Sequence, residues 1–514
     1  MKDDLPDGWV LLPLDQLTLS VRDGTHTPPK RIAKGIPLLS ARNIQNGTID
    51  FSETYSFISP TDYHSINRTN PVERGDVLLT VVGSIGRSCV NTNATPFTVQ
   101  RSVAIIRPNT NLVAGDYLSL MFRSPEFQSV LQDASSGTAQ QGVYLGALKE
   151  FEIPVPPLPE QRRIVEHLEA VLSRQQRCQG RLEKIPAILK RFRQSILAAA
   201  CSGRLTSDWR VENDDSASSQ ELRHTILQAR KDLWEKRQKN RQRAARYPEP
   251  FDPDSSAIDF DIPDAWCLTT VSELAMLDVG FAFKSAEFSN SGVRLLRGEN
   301  LEPGQLRWTD TKYWPKRALS GFEQLLIDEG EIVLALDRPL VSSGLKIARA
   351  TGTDLPCLLV QRMMRFKLPD QALTDWLYYN LQVPRFITHL SDGLTGTDLP
   401  HVTGTGVGEF TLPLPPLREQ EEIKRRVDAL FTLAERIESN FEKARTRMQR
   451  LPQSILAMAF RGELVCTEAE LAQAEGRDFE SVQEIVDRLR VKANRGNGNG
   501  NKRHRTRALR QQTP

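Results

Sequence analysis

The sequence predicts an α+β fold in which one structural unit occurs twice along the chain. Three observations lead to this prediction: segments of the second half match segments of the first, each half begins with short β-branched runs, and each half ends in a long apolar heptad pattern. At 514 residues the chain is too long for one ordinary domain. We therefore expect two mixed modules, each followed by a long helix, related by an internal pseudo-two-fold repeat.

The repeat is most regular toward the end of each unit. FEIPVPPLPEQ at 151–161 matches FTLPLPPLREQ at 410–420, and QSILAAACSGRL at 194–205 matches QSILAMAFRGEL at 453–464, with the same offset for both pairs. Earlier matches, such as LPDGW with IPDAW and VQRSVAIIRP with VQRMMRFKLP, have slightly different offsets. Each unit is therefore expected to have a variable first part and a second part of fixed length.

The first parts, residues 1–150 and 262–409, are predicted to be compact modules of strands and helices. The runs GDVLLTVVGSIG, SVAIIRP, GEIVLALD and MMRFKL are short, rich in β-branched residues and bounded by Gly, Pro or Asn, which is typical of strands. Helical patterns follow at 114–132 and 375–390. This order predicts α+β modules in which strands precede helices. Trp9 and Trp266, near the module starts, are expected to be core anchors.

The second parts, residues 151–205 and 410–465, are predicted to be helical spacers. Apolar residues recur every three or four positions over more than five heptads, which is the seam pattern of a coiled coil. Two stripes of equal length favour pairing with each other in an antiparallel arrangement. Pro186 and Pro452 lie inside the stripes at non-equivalent places, and each is expected to kink or break its helix. The predicted seam consists of Ile164, Leu168, Leu182, Leu189, Ile196, Ile423, Val427, Leu430, Met448 and Ile455.

Charge is almost balanced overall but is unevenly distributed. The net charge is +3, and this value by itself gives no indication of a nucleic-acid partner. Residues 221–246 contain nine Lys or Arg against three acids, and residues 490–514 contain eight Lys or Arg and no acid. We expect a basic helix and linker over 206–261, and a C-terminal helix with a disordered basic tail over 466–514. Most charge runs of this kind are solvated faces or tails, so neither segment by itself indicates a nucleic-acid role.

The motifs of several enzyme classes are absent from the sequence. There is no GxxxxGK[ST] phosphate loop, no HExxH, no GxSxG and no Asn-Pro-Pro-aromatic element, and the seven histidines are isolated. The six cysteines contain no CxxC pair, so we expect no metal site, no disulfide framework and a reducing cytoplasm. The sequence contains no run of about 18 apolar residues, so we expect no membrane span. The pattern favours a non-catalytic binding protein.

Two variable modules, each followed by a proline-rich segment and a long helix, resemble the specificity subunit of type I restriction–modification systems. The resemblance rests on PVPPLPEQRRIVEHLEAVL and PLPPLREQEEIKRRVDALF, and on QSILAAACSGRL and QSILAMAFRGEL at the helix ends. It covers nearly the whole chain, except the basic tail. It implies that each module is a target-recognition domain for one half of a bipartite, asymmetric DNA site, and that the paired helices separate the two domains.

The resemblance also implies partners that carry the chemistry. Two methyltransferase subunits would use S-adenosylmethionine to methylate adenine N6, and a restriction subunit would use ATP and Mg to cleave unmethylated DNA. The chain itself would be a DNA-binding subunit without a cofactor, a metal or a membrane partner.

Candidate DNA contacts are polar residues in loops, because base edges are recognised by Arg, Lys, Asn or Gln and phosphates by Lys, Arg, Ser or Thr. Each could equally brace a turn. Residues that occur in both modules are Gln100, Arg101, Gln361 and Arg362 before a strand, and Gly137, Thr138, Gly396 and Thr397, which resemble the Gly-Thr loop of the family. Residues that occur in one module are Lys30, Arg31, Arg42, Arg87 and Gln140 in the first and Lys284, Arg297, Arg338 and Lys346 in the second.

Two other functions remain open from the sequence. The chain could be a self-contained DNA methyltransferase or nuclease with an undetected site, which binding of S-adenosylmethionine by the purified chain would support. It could also be a coiled-coil scaffold whose modules bind protein, in which case a complex on DNA would leave no pair of separated footprints.

Overall fold

The computed structural model describes residues 5–27, 29–135, 142–213, 218–238, 246–392 and 401–491. The chain divides into two compact units, one formed by Met1–Glu183 with Glu442–Pro514 and the other by Lys184–Phe441. We call them unit 1 and unit 2. Module 1 (residues 1–150) lies in unit 1 and module 2 (residues 262–409) in unit 2, and each unit also contains parts of both predicted spacers.

Unit 1 contains eleven strands within its described residues. They are Val10–Pro13 (β1), Thr18–Asp23 (β2), Ile36–Leu39 (β3), Ile44–Gln45 (β4), Thr48–Ile49 (β5), Ser56–Ile58 (β6), Val77–Thr80 (β7), Ser88–Val90 (β8), Thr98–Val99 (β9), Val103–Pro108 (β10) and Glu152–Val155 (β11). Its first helices are Leu14–Leu17 (α1), Pro60–Thr69 (α2), Gly115–Met121 (α3), Pro125–Ser135 (α4), Leu145–Lys149 (α5) and Leu158–Leu182 (α6).

Unit 2 begins with the helices Ile185–Cys201 (α7), Ser207–Glu212 (α8) and Ser219–Gln238 (α9). Its strands are Cys267–Thr270 (β12), Met276–Val279 (β13), Val293–Leu296 (β14), Leu301–Glu302 (β15), Gln305–Leu306 (β16), Tyr313–Trp314 (β17), Ile332–Ala335 (β18), Leu340–Val341 (β19), Gly344–Leu345 (β20), Ile347–Arg349 (β21), Cys357–Leu359 (β22), Met363–Lys367 (β23) and Thr411–Leu414 (β24). Its later helices are Val271–Leu274 (α10), Thr374–Asn380 (α11), Pro384–Asp392 (α12) and Gly404–Gly408 (α13).

The helix Leu417–Phe460 (α14) contributes residues to both units, and Glu468–Glu475 (α15) and 482–491 (α16) complete unit 1.

The two modules share one sheet topology. A four-stranded antiparallel sheet has the order β2-β10-β7-β8 in module 1 and β13-β23-β18-β21 in module 2. A three-stranded sheet has the order β6-β3-β9 in one and β17-β14-β22 in the other, with one antiparallel and one parallel pairing in each. The internal repeat predicted from the sequence is therefore confirmed at the level of strand order.

One predicted ordering of elements is wrong. The proline-rich segment after the helices forms β11 and β24, which pair antiparallel with β1 and β12 at the module starts. Strands β11 and β24 lie at the start of the spacers, and within the modules the strands do not all precede the helices, because α1 and α10 already lie before most of the strands. The pairing of the first and last strands brings the start of each module to the start of the long helix that follows it.

Pro186 and Pro452, both predicted to kink or break a helix, have different effects. Pro186 lies in the first turn of α7, just after α6 ends at Leu182, and a proline is tolerated there because its missing N–H would have no helical partner. By contrast, α14 continues through Pro452. Proline cannot donate to the carbonyl of Met448 four residues earlier, but Gln175 Nε2 on α6 donates to that oxygen at 3.3 Å. A side chain on the neighbouring helix thus replaces the lost hydrogen bond.

The long helices pair antiparallel within each unit. In unit 1, Leu168 shares a core with Phe460, whereas Gln175, further along α6, contacts Met448, earlier in α14. In unit 2, Arg193 Nη2 contacts Glu438 Oε2 at 3.0 Å, whereas Arg426, earlier in α14, donates to the carbonyl of Leu205, after the end of α7, at 2.8 Å. Of the seam residues, Ile164, Leu168, Leu189, Ile196, Ile423 and Val427 are buried, and Leu182, Leu430, Met448 and Ile455 are half-buried. No helix in the described residues is long and apolar enough to cross a membrane.

Candidate nucleic-acid interface

A buried tryptophan–glutamate hydrogen bond fixes each module to its long helix. In unit 1, Trp9 Nε1 donates to Glu160 Oε1 at 2.9 Å, and the backbone N–H of Glu468 donates to Glu160 Oε2 at 2.8 Å. Burial raises the pKa of the Glu160 carboxyl, and these two hydrogen bonds oppose that rise. Because Trp9 opens module 1 and Glu160 opens α6, the bond fixes the module at the start of the helix.

The same clamp occurs in unit 2. Trp266 Nε1 donates to Glu419 Oε2 at 2.7 Å, and Thr206 Oγ1 donates to Glu419 Oε1 at 2.7 Å. Arg210 also forms an ion pair with Glu419. The carboxylate is 1% exposed and joins the start of module 2, the start of α14 and the segment that follows α7. We call each arrangement a Trp–Glu clamp.

A second repeated contact involves the glycine that follows each spacer helix. Gly203 and Gly462 both have left-handed backbones, with φ of +75° and +77°. A Cβ on Gly203 would lie 2.6 Å from Pro263 Cγ, and one on Gly462 would lie 2.3 Å from Pro6 Cγ. The glycine in each helix-closing motif is therefore required both by conformation and by close packing against the start of a module.

In module 1, five chain segments meet at one edge, which we call rim 1: residues 24–27, 39–42, 80–87, 99–102 and 142–143. Backbone hydrogen bonds join the first, second and fourth segments: Thr25 N–H to Val99 O at 3.0 Å, Arg101 N–H to Thr25 O at 3.2 Å, and Gln100 N–H to Leu39 O at 2.9 Å. The remaining segments join through Val81 N–H to Ser102 O and Val143 N–H to Val81 O, both at 2.9 Å. The sheet thus holds five loops in one fixed arrangement.

Module 2 builds the same edge, rim 2, from residues 280–284, 296–299, 335–338, 359–362 and 401–402. The corresponding bonds are Phe281 N–H to Leu359 O, Gln361 N–H to Phe281 O, Val360 N–H to Leu296 O, Leu336 N–H to Arg362 O and Val402 N–H to Leu336 O. Gly24 and Gly280 occupy equivalent places in the two rims. A Cβ on Gly24 would lie 2.2 Å from Val99 O, and a Cβ on Gly280 would lie 2.3 Å from Val360 O. The close approach of the two backbones therefore requires glycine in both rims.

The backbone hydrogen bonds of the two rims shift the alignment of the VQR segments by one residue. The matching letters VQR align Gln100 with Gln361, whereas the hydrogen bonds match Gln100 with Val360, Arg101 with Gln361 and Ser102 with Arg362. Gln361 and Arg362 lie directly before β23, whereas Ser102 separates Arg101 from β10. The side chains of the two Gln-Arg pairs therefore occupy different positions on the two rims.

Most predicted contacts of module 1 are exposed. Arg42 and Arg101 lie on rim 1, and among the described residues neither side chain has a hydrogen-bond or ion-pair partner. Arg87 is half-buried on the same rim, with its backbone N–H bonded to Thr80 Oγ1. Lys30 and Arg31 are exposed in the loop that leads from rim 1 to β3. The structure therefore brings Arg42, Arg87 and Arg101 to one surface.

Some predicted contacts of module 2 use their side-chain donors within the protein, and others are exposed. The Arg297 guanidinium is held by Asp310 Oδ2 at 3.1 Å and Glu299 Oε2 at 2.9 Å. Lys346 Nζ donates to the carbonyl of Gly298, and burial lowers the pKa of this amine. Both side chains brace the loop at 297–300. Lys284, by contrast, is exposed, 4.0 Å from Glu287.

Two arginines on rim 2 have an unusual backbone. Arg338 and Arg362 have φ of 44° and 68°, and they are the non-glycine residues with left-handed backbones in the described part of the chain. Such conformations cost free energy and tend to occur at functional sites. Both side chains are exposed, and Arg362 pairs with Asp337, which also contacts His401 Nδ1 at 2.7 Å. No sequence motif indicated a role for Asp337 or His401.

The remaining predicted contacts lie outside the described residues. These are Gly137, Thr138, Gln140, Gly396 and Thr397. The described residues that follow both segments belong to the rims, through the bridges of Val82 with Gly142 and of Asp337 with His401. Within the described residues, no group of His, Cys, Asp and Glu is arranged to hold a metal ion.

Comparison with known proteins agrees with this arrangement. A family model described as the type I restriction modification DNA specificity domain matches residues 34–187 and 263–443. The chain is 28% identical to the EcoAI specificity subunit of Escherichia coli, over 68% of this chain and 65% of that protein. It is 25% identical to the EcoKI specificity subunit of the same species, over 90% of each chain.

Two solved structures share the fold. The HsdS subunit from Thermoanaerobacter tengcongensis matches with a TM-score of 0.54 and 18% identity, over 90% of this chain and 98% of that chain. A chain from a study of complex assembly and conformational transition of the type I R-M system matches with a TM-score of 0.56 and 19% identity, over 90% and 99%. The family model covers both halves of the chain and more than half of its length. The chain therefore belongs to the family of type I restriction–modification specificity subunits, which are non-catalytic DNA-recognition subunits that need no cofactor of their own.

Proposed function

We propose that module 1 and module 2 each recognise one half of a bipartite, asymmetric DNA site. The observation that carries this proposal is the pair of rims, which have the same backbone hydrogen bonds but different side chains. Thr25 of rim 1 corresponds to Phe281 of rim 2, and Ser102 corresponds to Arg362. Two edges of the same shape with different donors and apolar groups suit two different base sequences, because base edges are distinguished by their donor, acceptor and methyl patterns.

The charged residues divide into two roles on this proposal. Arg42 and Arg101 on rim 1, and Arg338 and Arg362 on rim 2, contact base edges or phosphates directly. Lys30 and Arg31, exposed in the loop that follows rim 1, and Lys284, exposed at the end of a rim 2 segment, contact phosphates. Arg297 and Lys346 brace the loop at 297–300 from within the module and do not contact DNA.

The paired helices set the distance between the two half-sites and bind protein partners. A helix rises by about 1.5 Å per residue, so its length is fixed by residue count. On the helices of unit 2, Ile188, Leu433 and Ile437 are 60%, 47% and 39% exposed. Leu433 and Ile437 are four residues apart and share one face of α14. Such apolar positions suit the docking of two methyltransferase subunits.

The reaction chemistry belongs to those partners. The methyltransferase subunits use S-adenosylmethionine to methylate adenine N6, and a restriction subunit uses ATP and Mg to cleave DNA. A self-contained methyltransferase or nuclease and a DNA-independent scaffold are less favoured, because the curated relatives are specificity subunits.

Footprinting of the assembled methyltransferase complex tests the proposal. On DNA that contains the methylated site, we expect two protected patches with a less protected gap between them. One continuous short patch, or no sequence-dependent protection, would contradict it. Arg42→Ala should weaken protection of the patch bound by module 1, and Arg362→Ala should weaken protection of the patch bound by module 2.

A further inference from the structure

Phe281 occupies a fixed position on rim 2. Its backbone N–H donates to Leu359 O at 3.2 Å, and its carbonyl accepts from Gln361 N–H at 2.8 Å. The preceding Gly280 lies so close to the facing turn that a Cβ there would be 2.3 Å from Val360 O. The backbone on both sides of Phe281 is therefore fixed by the sheet.

The ring of Phe281 is supported on its inner side by other aromatic rings. Its centroid lies 5.2 Å from that of Phe283 and 5.1 Å from that of Phe322. Phe283 in turn lies 4.7 Å from Trp314, and both of these are buried. Yet Phe281 itself is 49% exposed. One side of the ring is packed and the other faces solvent, so little rotamer freedom remains to be lost when a ligand binds.

The surroundings of this ring distinguish it from an ordinary exposed apolar residue, which alone would need no explanation. Gln361, Arg362 and Lys284 are exposed on the same rim. In module 1 the equivalent position is Thr25, whose hydroxyl donates to the carbonyl of Thr27 at 2.9 Å. The aromatic platform is thus a feature of module 2 and not of the shared frame.

We propose that Phe281 contacts the apolar part of one base in the half-site recognised by module 2. DNA offers two such surfaces, the thymine methyl group in the major groove and the face of a partly unstacked base. Neighbouring arginines hold the phosphates or polar base edges, and the ring supplies an apolar contact that they lack. This inference rests on the proposed function and names one specificity-determining residue within it.

Phe281→Ala tests the inference in the full methyltransferase complex, with Phe251→Ala as the matched control. Phe251 is 38% exposed in the same unit, and its backbone bonds to Ser272 and Thr270, away from rim 2. We expect Phe281→Ala to weaken binding of the methylation site on the order of tenfold. The slope of affinity against salt concentration should not change, because no charge is removed. Phe251→Ala should bind as the unmodified protein does.

Replacement of thymine by uracil at each position of the second half-site, together with 2-aminopurine fluorescence, identifies the surface contacted. If the methyl group is bound, one uracil substitution weakens the unmodified complex but not the variant. If a base face is bound, 2-aminopurine fluorescence increases in the unmodified complex and not in the variant. Either result supports the inference.

Two results would overturn it. One is cognate binding by Phe281→Ala that equals that of the unmodified protein. The other is an equal loss of affinity for unrelated DNA. Phe281→Thr, which introduces the residue found in module 1, provides a second variant, and thermal unfolding shows whether either variant is folded. If the unmodified complex itself lacks two footprints, the proposed function fails, whatever the variants do.

Discussion

The tolerance of Pro452 within α14 predicts a strong coupling between two helices of unit 1. Gln175 Nε2 donates to the Met448 carbonyl, which has no helical donor because residue 452 is proline. Gln175→Ala should therefore leave this oxygen without its partner and cost about 1 kcal/mol of unfolding free energy. In a Pro452→Ala background, the new backbone N–H at position 452 satisfies the same oxygen. There, Gln175→Ala should lose only the side-chain contact with Gln179 Oε1, at 3.2 Å.

The coupling in this double-mutant cycle should be about 1 kcal/mol, because the contact with Gln179 is lost in both backgrounds and cancels. Pro452→Ala alone should stabilise the helix by up to about 3 kcal/mol, the penalty of a proline in a helix interior. Urea unfolding followed by circular dichroism measures all four variants, with the exposed Gln176→Ala as the control for loss of a glutamine from α6. A coupling near zero would refute the reasoning, since it would show that Gln175 does not replace the lost backbone bond.

Three further predictions follow from single residues. Glu419→Ala should destabilise unit 2 by about 3–5 kcal/mol in urea unfolding, because it leaves a buried tryptophan N–H, a hydroxyl and a guanidinium without their acceptor; a cost below about 1 kcal/mol would contradict the clamp. Arg42→Ala should lower the slope of affinity against salt by about one unit, whereas Arg297→Ala should leave it unchanged, because that guanidinium is ion-paired within the module. Gly24→Ala should abolish recognition of the first half-site while Gly146→Ala, with no atom within 4 Å of the new Cβ, should not, and methylation assays distinguish these outcomes.

Much of the fold follows from local hydrophobic patterns. The runs that form β7, β10, β18 and β23 are bounded by turn residues and are buried on the sheet, so their strand character is visible without any partner. The heptad stripes likewise indicate long helices because each turn repeats the same burial. These features depend on neighbours in sequence, which is why the repeat could be predicted as well.

Other features depend on partners remote in sequence and could not be predicted. Nothing near Pro452 indicates that Gln175 would donate to the Met448 carbonyl, so the sequence predicts a kink or a break at Pro452 as it does at Pro186. The acceptor role of the clamp glutamates depends on tryptophans some 150 residues away, and no local pattern around Glu160 or Glu419 indicates it. The shift of one residue between the Gln-Arg pairs arises because backbone pairing, not side-chain identity, determines equivalence in a sheet.

Among the candidate contacts, residue type alone could not separate surface donors from braces. Arg42 and Arg297 both lie in the short loop after the first strand of the three-stranded sheet. Arg42 is exposed without a partner among the described residues, whereas Arg297 is ion-paired to Asp310 and Glu299. The difference comes from the acids at 299 and 310, which pair with the Arg297 guanidinium.

The spacing role of the helices is tested most directly by removing one matched heptad from each helix. Gln175 lies opposite Met448, so deletion of residues 176–182 and 441–447 removes facing segments and preserves the seam. The helices then shorten by about 10 Å, which is equivalent to about three base pairs of DNA at about 3.4 Å each. Methylated adenines are mapped across a genome that carries the variant and its methyltransferase. We predict that both half-site sequences persist and that sites with the original gap are no longer methylated. Continued methylation at the original gap, or a change in either half-site sequence, would contradict the account.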